Sequence, residues 1–435
     1  MMKIFKVSIA GIGNIGMQVV EYLSQNEKYI SDKTYINFKI VGISAKNKNK
    51  KRICNINNFK WFDDPFELIT NSNSDIFIEL IGHDKGISYE LIKKALKNNI
   101  HVVTANKALL AKHGNELFKL AEENKVLLLF EAAVAGGIPI IRILKSSLFL
   151  NKVKKISGIL NGTTNYILSS MQNTNIDFEN ILKEAQKKGF AESDPKNDIE
   201  GIDAAQKLTI LSVLCFGIKF NFDDLIYHGI SNINHQDIKY AEQLGYKIKL
   251  ISSSEIINNK IISIVEPTLI KNTSKLAKVE GVQNGINIET NLNSFFIEGE
   301  GAGAKATTSS IISDLLEIAK GSNYHSLGYE TNKLNKVEAI QYEERVCSYY
   351  LRIIVKDIPG VLANITSYLK EEDISIETIL QLPNDIISNS YASVPIIITT
   401  HETTYYLLNK VLMKIQNLDF VISEIVMISI DKDII

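Results

Sequence analysis

Short apolar runs alternate with amphipathic stretches through the first third of the chain. Runs with the length and residue types of β-strands lie at 5–10, 38–43, 76–81, 101–104 and 126–130. Helical patterns lie between them, the clearest at 17–23, 88–97 and 107–124. Strands separated by helices predict βαβ units and a parallel sheet. Right-handed crossovers then give a doubly wound, Rossmann-type α/β domain, here assigned to residues 1–140.

The pattern becomes less regular after Pro139. Strands are predicted at 154–160 and near Lys249, Ile261 and Phe295, and long helices at 165–189, 199–216 and 307–320. This order is typical of an α+β domain in which helices cover a sheet, and residues 141–304 are assigned to it. The polar stretch 321–338 has the pattern of a linker.

Residues 345–435 show a third pattern. Strands at 349–356, 374–380, 391–399 and 425–430 are interrupted by helices at 360–369 and 405–416, in the order βαββαβ. This order is the ferredoxin-like split motif. We therefore expect a separate C-terminal domain.

Composition and charge restrict the function classes. Hydrophobic residues make up 45% of the chain and charged residues 22%, as in soluble globular proteins. The net charge of −1 gives no electrostatic case for a nucleic-acid or membrane partner. The longest apolar run is too short to span a bilayer, and the glycines within 3–20 argue against a signal peptide. Three dispersed cysteines form neither a disulfide framework nor a zinc motif, so we expect a cytoplasmic protein.

A glycine fingerprint follows the first predicted strand and opens a helix. It consists of Gly11, Ile12, Gly13, Asn14, Ile15 and Gly16. The first glycine permits a tight turn, the second lets a pyrophosphate approach the backbone, and the third lets helix and strand pack closely. The helix start offers N–H groups and a partial positive charge. The motif predicts dinucleotide binding, although a glycine-rich turn also occurs in unrelated α/β sheets.

The end of the second predicted strand bears on the choice of cofactor. NAD-binding chains usually place an acidic residue there for the ribose 2′-hydroxyl. Here the strand leads into Lys46, Lys48, Lys50, Lys51 and Arg52, and cations suit the 2′-phosphate of NADP. NADP is therefore favoured. NAD stays open, because these residues could also form an ordinary solvated loop.

Two lysines and an aspartate are candidates for catalysis. Asp203 and Lys207 are four residues apart, so they share one face of a predicted helix that is otherwise largely apolar. An exposed ion pair is the simple explanation, but the apolar helix predicts burial, and buried charges are costly unless they are paired or functional. Lys107 follows the carboxyl end of a parallel strand, where ligands bind in doubly wound sheets. Asp198 is a candidate N-cap of the same helix.

The chain resembles the homoserine dehydrogenases over nearly its whole length. The motifs that carry the resemblance are VTANKALL at 103–110, GILNGTTNY at 158–166 and the acidic segment 189–207. That family reversibly reduces L-aspartate 4-semialdehyde to L-homoserine, on the route to threonine, methionine and isoleucine. The resemblance implies the same NAD(P)-dependent activity here. It also implies a substrate and dimerisation role for 141–304, a first domain completed by about 305–330, and a homodimer or homotetramer.

The resemblance implies roles for individual residues as well. Lys207 would donate the proton, Lys107 would lie between cofactor and substrate, and Glu192 would bind the ammonium group of homoserine, with Asp198 and Asp203 beside it. Gly303 would belong to a late loop that returns to the nicotinamide. This chemistry is reasonable, since hydride transfer needs an acid at the developing alkoxide.

A cation site also follows from the resemblance. Glu131, Val134, Gly136 and Ile138 match the family's site for a monovalent cation, Na⁺ or K⁺. A carboxylate together with converging backbone carbonyls suits a hard cation. Close packing of a glycine-rich turn would explain the same residues without a cation.

The C-terminal domain resembles an ACT domain, a module that binds amino acids. Asp357 and Gly360 precede its first helix, where backbone N–H groups could meet a ligand carboxylate. The effector we expect there is L-threonine, with feedback inhibition as the consequence; a purely structural dimerisation domain is the alternative. We also expect that a chain ending near Asn332 keeps its chemistry and loses the inhibition.

Two other functions are compatible with these folds. One is another NAD(P) oxidoreductase for a small carbonyl compound, which the segments 161–165 and 192–207 argue against. The other is a non-catalytic amino-acid sensor, which intact Lys107, Asp203 and Lys207 argue against. Oxidation of NADPH with aspartate semialdehyde separates all three.

Overall fold

A parallel sheet of five strands forms the first part of the molecule, in a computed structural model that describes residues 2–52, 55–174, 176–321, 325–381 and 393–434. The strands are β1 (Lys3–Ala10), β2 (Ile36–Ser44), β3 (Ile76–Glu79), β4 (His101–Thr104) and β5 (Leu128–Leu129), in the spatial order β2-β1-β3-β4-β5. The helices around them are α1 (Asn14–Gln25), α2 (Glu27–Thr34), α3 (Pro65–Asn71), α4 (Ile87–Lys97) and α5 (Lys107–Glu123). The predicted Rossmann-type sheet is confirmed.

Two short helices and one strand end differ from the predicted pattern. The periodicity does not predict α2 or α3, although α3 has a clear start signal. Asp64 accepts the N–H of Phe66 at 2.8 Å, and Pro65 takes the first helical position. The fifth strand is only Leu128–Leu129, shorter than the predicted 126–130.

A second, mixed sheet of eleven strands runs through the rest of the molecule. Its first members are β6 (Val153–Ile159), β7 (Ile226–Tyr227), β8 (Tyr246–Ile257), β9 (Lys260–Lys271), β10 (Gln283–Thr290) and β11 (Ser294–Glu300). The helices of this part are α6 (Ile140–Arg142), α7 (Gly162–Asn173), α8 (Phe178–Lys187), α9 (Lys196–Ile199), α10 (Ile202–Phe216), α11 (His235–Gln243) and α12 (Ala304–Lys320). The α+β prediction is confirmed, with β10 as a strand that the pattern did not show.

Two of the predicted long helices differ from the structure. The predicted helix 165–189 consists of α7 and α8, whereas the predicted helix 199–216 is α10, which begins three residues later, at Ile202. The short helix α9 precedes it, and Gly201 separates the two with a left-handed φ of 80°. Asp198 is therefore not an N-cap as predicted: it lies inside α9, and Pro195 and Gly201 precede the two helices. This break leaves the Asp198 carboxylate available for a side-chain contact.

The C-terminal part has the predicted order of elements. They are β12 (Val346–Lys356), α13 (Val361–Glu371), β13 (Ile376–Gln381), β14 (Ser393–Thr400), β15 (Thr403–Thr404), α14 (Tyr405–Gln416) and β16 (Val426–Asp431). The first two residues of the strand predicted at 391–399 lie outside the described residues. The spatial order β16-β12-β14-β13 is that of a ferredoxin-like sheet.

The C-terminal sheet is not separate from the sheet of the middle part. Strand β16 pairs in parallel with β9, with Ser429 opposite Thr268 and Asp431 opposite Ile270. A buried ion pair also connects the parts, since the Arg352 guanidinium of β12 lies 2.6 Å from Asp237 of α11. The C-terminal part is therefore built into the second sheet.

Apolar clusters fill each part. Helix α12 packs on the first sheet, because Ile311, Leu315 and Ile318 share a buried cluster with β1 and α1. The C-terminal part has its own cluster around Tyr349, Ile365 and Leu408. Within the described residues, no helix combines the length and apolar character needed to cross a membrane.

Candidate active site

The helix α10 carries the predicted lysine–aspartate pair into the interior. Asp203 and Lys207 lie one turn apart on it, and each is only 8% exposed. The Lys207 ammonium lies 2.7 Å from the Asp203 carboxylate and donates a second hydrogen bond, also 2.7 Å, to the carbonyl of Leu160. The burial that the apolar helix predicted is confirmed. Lys207 is thus held from two sides, by a charge and by a backbone dipole.

Lys107 reaches the same aspartate from the first sheet. It is the first residue of α5, directly after β4, and Asn106 caps that helix by accepting the N–H of Leu109 at 3.1 Å. The half-buried Lys107 ammonium lies 3.1 Å from the second oxygen of Asp203. The carboxylate of Asp203 is therefore shared by two ammonium groups from two helices, α5 of the first part and α10 of the middle part.

Asn161 connects the two aspartates of the site. Its side-chain amide nitrogen donates to Asp198 at 2.7 Å and to Asp203 at 2.9 Å. Its oxygen accepts the N–H of Thr164 and so caps α7. Asn161 belongs to the 158–166 motif, but sequence reasoning gave it no role of its own.

The charges of this cluster shift the pKa values of its members. Burial alone would raise the pKa of Asp203, but Lys207 and Lys107 outweigh that effect and hold it well below its usual range. Burial, reinforced by the charge of Asp203, raises the pKa of Asp198. The Asp203 carboxylate raises the pKa of Lys107. Lys107 therefore stays charged and Asp203 stays ionised at neutral pH.

Glu192 lies at the rim of this cluster. It is exposed, in the segment between α8 and α9, and its backbone carbonyl accepts the side-chain amide of Gln186 at 3.0 Å. Its carboxylate is near enough to contribute to the raised pKa of Lys107. An exposed carboxylate beside a buried, lysine-rich cluster can receive a cationic group of a ligand.

The glycine fingerprint has the geometry that a dinucleotide needs. Gly11 has a φ of 98°, and a Cβ there would lie 2.4 Å from the backbone of Leu80. A Cβ on Gly16 would lie 2.2 Å from the carbonyl oxygen of Gly11, whereas a Cβ on Gly13 would meet no atom within 4 Å. The first and third glycines are thus needed for packing. The second leaves an open approach for a pyrophosphate.

The basic loop after β2 borders a cavity of about 340 Å³ beside this fingerprint. Lys50, Lys51 and Arg52 line it together with residues 12–14 and Met17. The Arg52 guanidinium donates to the loop carbonyls of Asn47, Lys48 and Lys50 and lies 5.4 Å from the Trp61 ring. It also donates to the carbonyl of Ile12 in the fingerprint at 3.3 Å. Lys46, predicted as a cofactor ligand, is exposed and does not line this cavity.

The turn predicted to hold a cation is buried. Glu131 is 2% exposed, and its two carboxylate oxygens accept the N–H groups of Ile141 and Arg142 at 3.0 and 2.9 Å. Burial raises the pKa of Glu131 to about 7, in spite of the Arg142 charge. Val134, Gly136 and Ile138 follow in the same buried turn. No group of three or more His, Cys, Asp or Glu side chains that could hold a metal ion occurs in the described parts of the chain.

Two further carboxylates organise the surroundings of the site, and sequence reasoning missed both. Asp314 of α12 accepts the backbone N–H of Glu131 at 2.9 Å, and burial raises its pKa. Glu79 ends β3 and accepts the N–H of Ile81 and the hydroxyl of Thr104, both at 2.8 Å. A glutamate within the apolar run of β3 is a signal that the sequence did carry.

The late loop and the C-terminal helix start have the predicted glycines. Gly303 precedes α12 with a φ of 110°, and Gly301 beside it is buried. In the C-terminal part, Gly360 precedes α13 with a φ of 92°, a Cβ there would meet no atom within 4 Å, and Asp357 is exposed. Asp357 and Gly360 thus lie at an open helix start, far along the chain from the lysine cluster.

Comparisons with known proteins show relatives along the whole chain. Two family models match the chain: "Homoserine dehydrogenase, NAD binding domain" over residues 11–131 and "Homoserine dehydrogenase" over residues 139–316. The homoserine dehydrogenase of Neisseria gonorrhoeae is 39% identical over 439 residues, which cover 99% of both chains. That of Bacillus subtilis is 35% identical and covers 97% of this chain and 96% of its own.

Solved structures give the same result. The crystal structure of a homoserine dehydrogenase from Thiobacillus denitrificans matches with a TM-score of 0.92 at 36% identity, over 99% of both chains. A hyperthermophilic archaeal homoserine dehydrogenase in complex with NADPH matches with a TM-score of 0.62 at 26% identity. That match covers 73% of this chain and 98% of the archaeal one.

Proposed function

The chain belongs to the homoserine dehydrogenase family, and from this premise we propose how its residues carry out the reaction. The enzyme is an NAD(P)-dependent oxidoreductase that interconverts L-aspartate 4-semialdehyde and L-homoserine. The observation that supports our assignment of roles is the buried Asp203 carboxylate shared by Lys107 and Lys207. Asp203 holds the Lys207 ammonium beside a second ammonium group, that of Lys107.

Lys207 is the proton donor in this proposal. The carbonyl oxygen of the semialdehyde becomes an alkoxide as its carbon gains hydride, which the nicotinamide supplies when NADPH is bound. The Lys207 ammonium gives that oxygen a proton, and the resulting neutral amine regains one from solvent. Asp203 and the Leu160 carbonyl orient the ammonium, and an oriented acid of this kind contributes roughly 10²–10⁴-fold to rate. Lys107 stabilises the developing negative charge from the cofactor side.

Glu192 and Asp198 bind the rest of the substrate. An amino-acid substrate carries an ammonium group that needs a carboxylate, and Glu192 is exposed at the rim of the lysine cluster. Asp198 lies deeper and is fixed by Asn161 at 2.7 Å. These two carboxylates select an α-amino acid over a simple aldehyde, which argues against a general carbonyl reductase.

NADP is the cofactor that the basic loop favours. Gly13 leaves room for a pyrophosphate, and Lys50 and Lys51 line the adjoining cavity. Both ammonium groups suit a 2′-phosphate, whereas the Arg52 guanidinium is already hydrogen-bonded to backbone carbonyls. Gly303, at the start of α12, closes the site on the nicotinamide side.

A monovalent cation, Na⁺ or K⁺, is part of the proposal. Glu131 and the carbonyls of Val134, Gly136 and Ile138 would hold it, since a carboxylate with backbone carbonyls is a hard-cation donor set. The fit rests on Glu131, which is buried with a pKa raised to about 7. A cation would supply the positive charge that an ionised Glu131 needs there.

L-Threonine is the proposed effector, bound at the helix start that Gly360 opens. A left-handed glycine with open space beside α13 supports an approach of a ligand carboxylate to the N–H groups, and Asp357 would receive the ammonium. Feedback inhibition through a homodimer or homotetramer in the cytoplasm completes the proposal. The alternative is that the C-terminal part binds no effector and only contributes to assembly of the oligomer.

The assignment is tested by NADPH oxidation with aspartate semialdehyde in two variants. Lys207→Ala should lower kcat by roughly 10²–10⁴-fold while NADPH binding persists. Glu192→Ala should instead raise KM for homoserine much more than KM for the cofactor, because the substrate ammonium loses its charged partner. Retention of more than half of kcat in Lys207→Ala, or equal KM changes in Glu192→Ala, contradicts the assigned roles.

A further inference from the structure

The backbone that holds Lys207 is itself held by one buried side chain. Lys207 donates to the carbonyl of Leu160, the first residue after β6. The carbonyl before it, that of Ile159, accepts the side-chain amide of Asn284 at 2.7 Å. Asn284 lies on the neighbouring strand β10 and is 1% exposed. Its amide is therefore one residue from the carbonyl to which the proposed proton donor binds.

The strands on both sides of this contact approach unusually closely. A Cβ on Gly158 would lie 2.6 Å from the carbonyl oxygen of Gly285, and a Cβ on Gly162 would lie 2.6 Å from that of Val282. The end of β6 and the start of α7 thus pack directly on the backbone of 282–285. Any change in the position of Asn284 has to be passed on to the Leu160 carbonyl, because little space remains to absorb it.

The other side of the Asn284 amide faces the loop 301–303, which precedes α12. A Cβ on Gly301 would lie 1.2 Å from the Asn284 amide oxygen and 2.1 Å from its Cγ. Gly301 in turn accepts the N–H of Gly136 at 2.9 Å, and Glu300 accepts that of Gly137 at 2.8 Å. The loop that opens α12 is therefore placed by Asn284 on one side and by the turn that follows Glu131 on the other.

We propose that Asn284 is a positioning residue of the active site, which fixes the separation between the Lys207 ammonium and the Gly301–Gly303 loop. This proposal rests on the roles given above to Lys207 and to that loop. Hydride transfer needs the semialdehyde carbon close to the nicotinamide while its oxygen stays close to Lys207. A displacement of about 1 Å between such groups can cost on the order of 10²-fold in rate.

Two substitutions at Asn284 test the role. Asn284→Asp keeps the shape but replaces the donor with an oxygen opposite the Ile159 carbonyl, and Asn284→Ala removes the contact. Each should lower kcat about 10- to 100-fold with little change in KM for aspartate semialdehyde. With 4-deuterated NADPH, the isotope effect on kcat should rise, because hydride transfer becomes more rate-limiting.

Asn287 provides a matched control on the same strand. It is 2% exposed, and its amide donates to Glu289 at 3.2 Å, away from the lysine cluster. Asn287→Ala should therefore lower thermal stability as Asn284→Ala does but leave kcat and the isotope effect unchanged. Equal kinetic losses in both variants would overturn the proposal, because burial alone would then explain them.

Coupling between Asn284 and Gly301 gives a second test. Gly301→Ala should lower kcat in the wild-type background, since the new methyl overlaps the amide of an intact Asn284. In the Asn284→Gly background the same substitution should cost little, because the overlapping atoms are gone. Additive losses contradict the proposal. Where the Asn284 variants fail to fold, an unchanged kcat in Gly301→Ala alone contradicts it. Failure of the proposed function is recognised separately, since Lys207→Ala would then retain activity.

Discussion

At the scale of single residues, Asp203 determines the charge state of the lysine cluster. Two ammonium groups lie within 3.1 Å of its carboxylate, and they hold its pKa well below the usual range. A carboxyl with a lowered folded pKa stabilises the fold above its ordinary pKa, and this contribution is lost as pH falls through the folded value. Asp203 therefore stays ionised, and available to both ammonium groups, at neutral pH.

The pKa of Glu131 is shifted in the opposite direction from that of Asp203. Its folded pKa is raised to about 7 from 4.5, so the folded state holds a proton that the unfolded state has released. The stabilisation that protonated Glu131 contributes is present in full below pH 4.5 and falls as the pH rises toward 7. A cation at the ionised carboxylate would offset this loss. We expect Na⁺ or K⁺ at a hundredfold excess over Kd to increase the free energy of unfolding at pH 8 by about 2.7 kcal/mol. This increase should be visible as a higher Tm, and it should be much smaller at pH 5.

Calorimetry with matched ionic strength measures this difference. Tetramethylammonium chloride serves as the salt control, because it is too large for a buried turn. Glu131→Gln should remove both the pH dependence and the response to the cation. An equal shift of Tm with all three salts, or an unchanged shift in the variant, would exclude a cation at Glu131.

At the scale of elements, the basic loop after β2 contains cations of two kinds. Lys50, Lys51 and Arg52 all line the cavity beside Gly13, but only Arg52 is engaged by backbone carbonyls there, three of the loop and that of Ile12. We expect Lys50→Ala combined with Lys51→Ala to raise KM for NADPH about tenfold or more, because charged hydrogen bonds contribute about 1.5–3 kcal/mol each. KM for NADH should hardly change.

Steady-state kinetics with both cofactors checks this, and Arg52→Lys is the companion variant. A lysine cannot make the several parallel donations of the guanidinium. The loop should then lose its shape, and both cofactors should bind more weakly. If the double lysine variant leaves the ratio of NADPH to NADH preference unchanged, the two lysines belong to an ordinary solvated surface.

The start of α13 is the element that carries the regulatory proposal. Gly360 has a φ of 92° and open space around it. Gly360→Asp should relieve threonine inhibition, because its carboxylate occupies and repels the place of the ligand carboxylate. Inhibition curves with millimolar L-threonine measure the effect, and a loss of coupling corresponds to about 1–3 kcal/mol.

Gly360→Asn separates charge from backbone strain. Asparagine has nearly the same size as aspartate and tolerates the left-handed region, so it should retain more of the inhibition than Gly360→Asp. If the wild-type enzyme does not respond to threonine, the function of the C-terminal part is assembly of the oligomer. Full inhibition of Gly360→Asp would place the effector elsewhere.

At the scale of the whole molecule, the C-terminal part shares the second sheet with the catalytic part. Truncation after Asn332 removes β16 from β9 and takes Tyr350, Ile428 and Ile430 out of the buried cluster that they share with the middle part. The apolar surface that they cover would become exposed, which is unfavourable. We now expect this truncation to lower stability and activity together, unlike the independent module that the sequence pattern suggested.

Arg352→Ala tests the same interface without truncation. Urea unfolding should show a loss of about 3–5 kcal/mol, because Asp237 loses its buried partner. Lys260→Ala is the control, since the Lys260–Glu338 pair is exposed and solvent screens it, so unfolding should hardly change. A truncated chain with wild-type Tm and kcat would show that the shared strand pairing does not matter.

The sequence by itself determined the features that depend on neighbours along the chain. Alternating apolar runs and helices predicted the parallel sheet, and the spacing of Gly11, Gly13 and Gly16 predicted the dinucleotide turn. The four-residue interval between Asp203 and Lys207 predicted a shared helix face, because helical geometry brings such residues together. The family motifs identified the chemistry for the same reason, since each motif is a continuous segment.

Only the tertiary structure decided the contacts between distant segments. It brought Lys107 to Asp203, made Asn161 a bridge between two aspartates, and placed Lys46 outside the cavity beside Gly13. It also placed Gly201 between α9 and α10 and joined β16 to β9. Periodicity records which face of an element is buried but not which element covers it. Packing and pairing between strands and helices far apart in the chain make that choice.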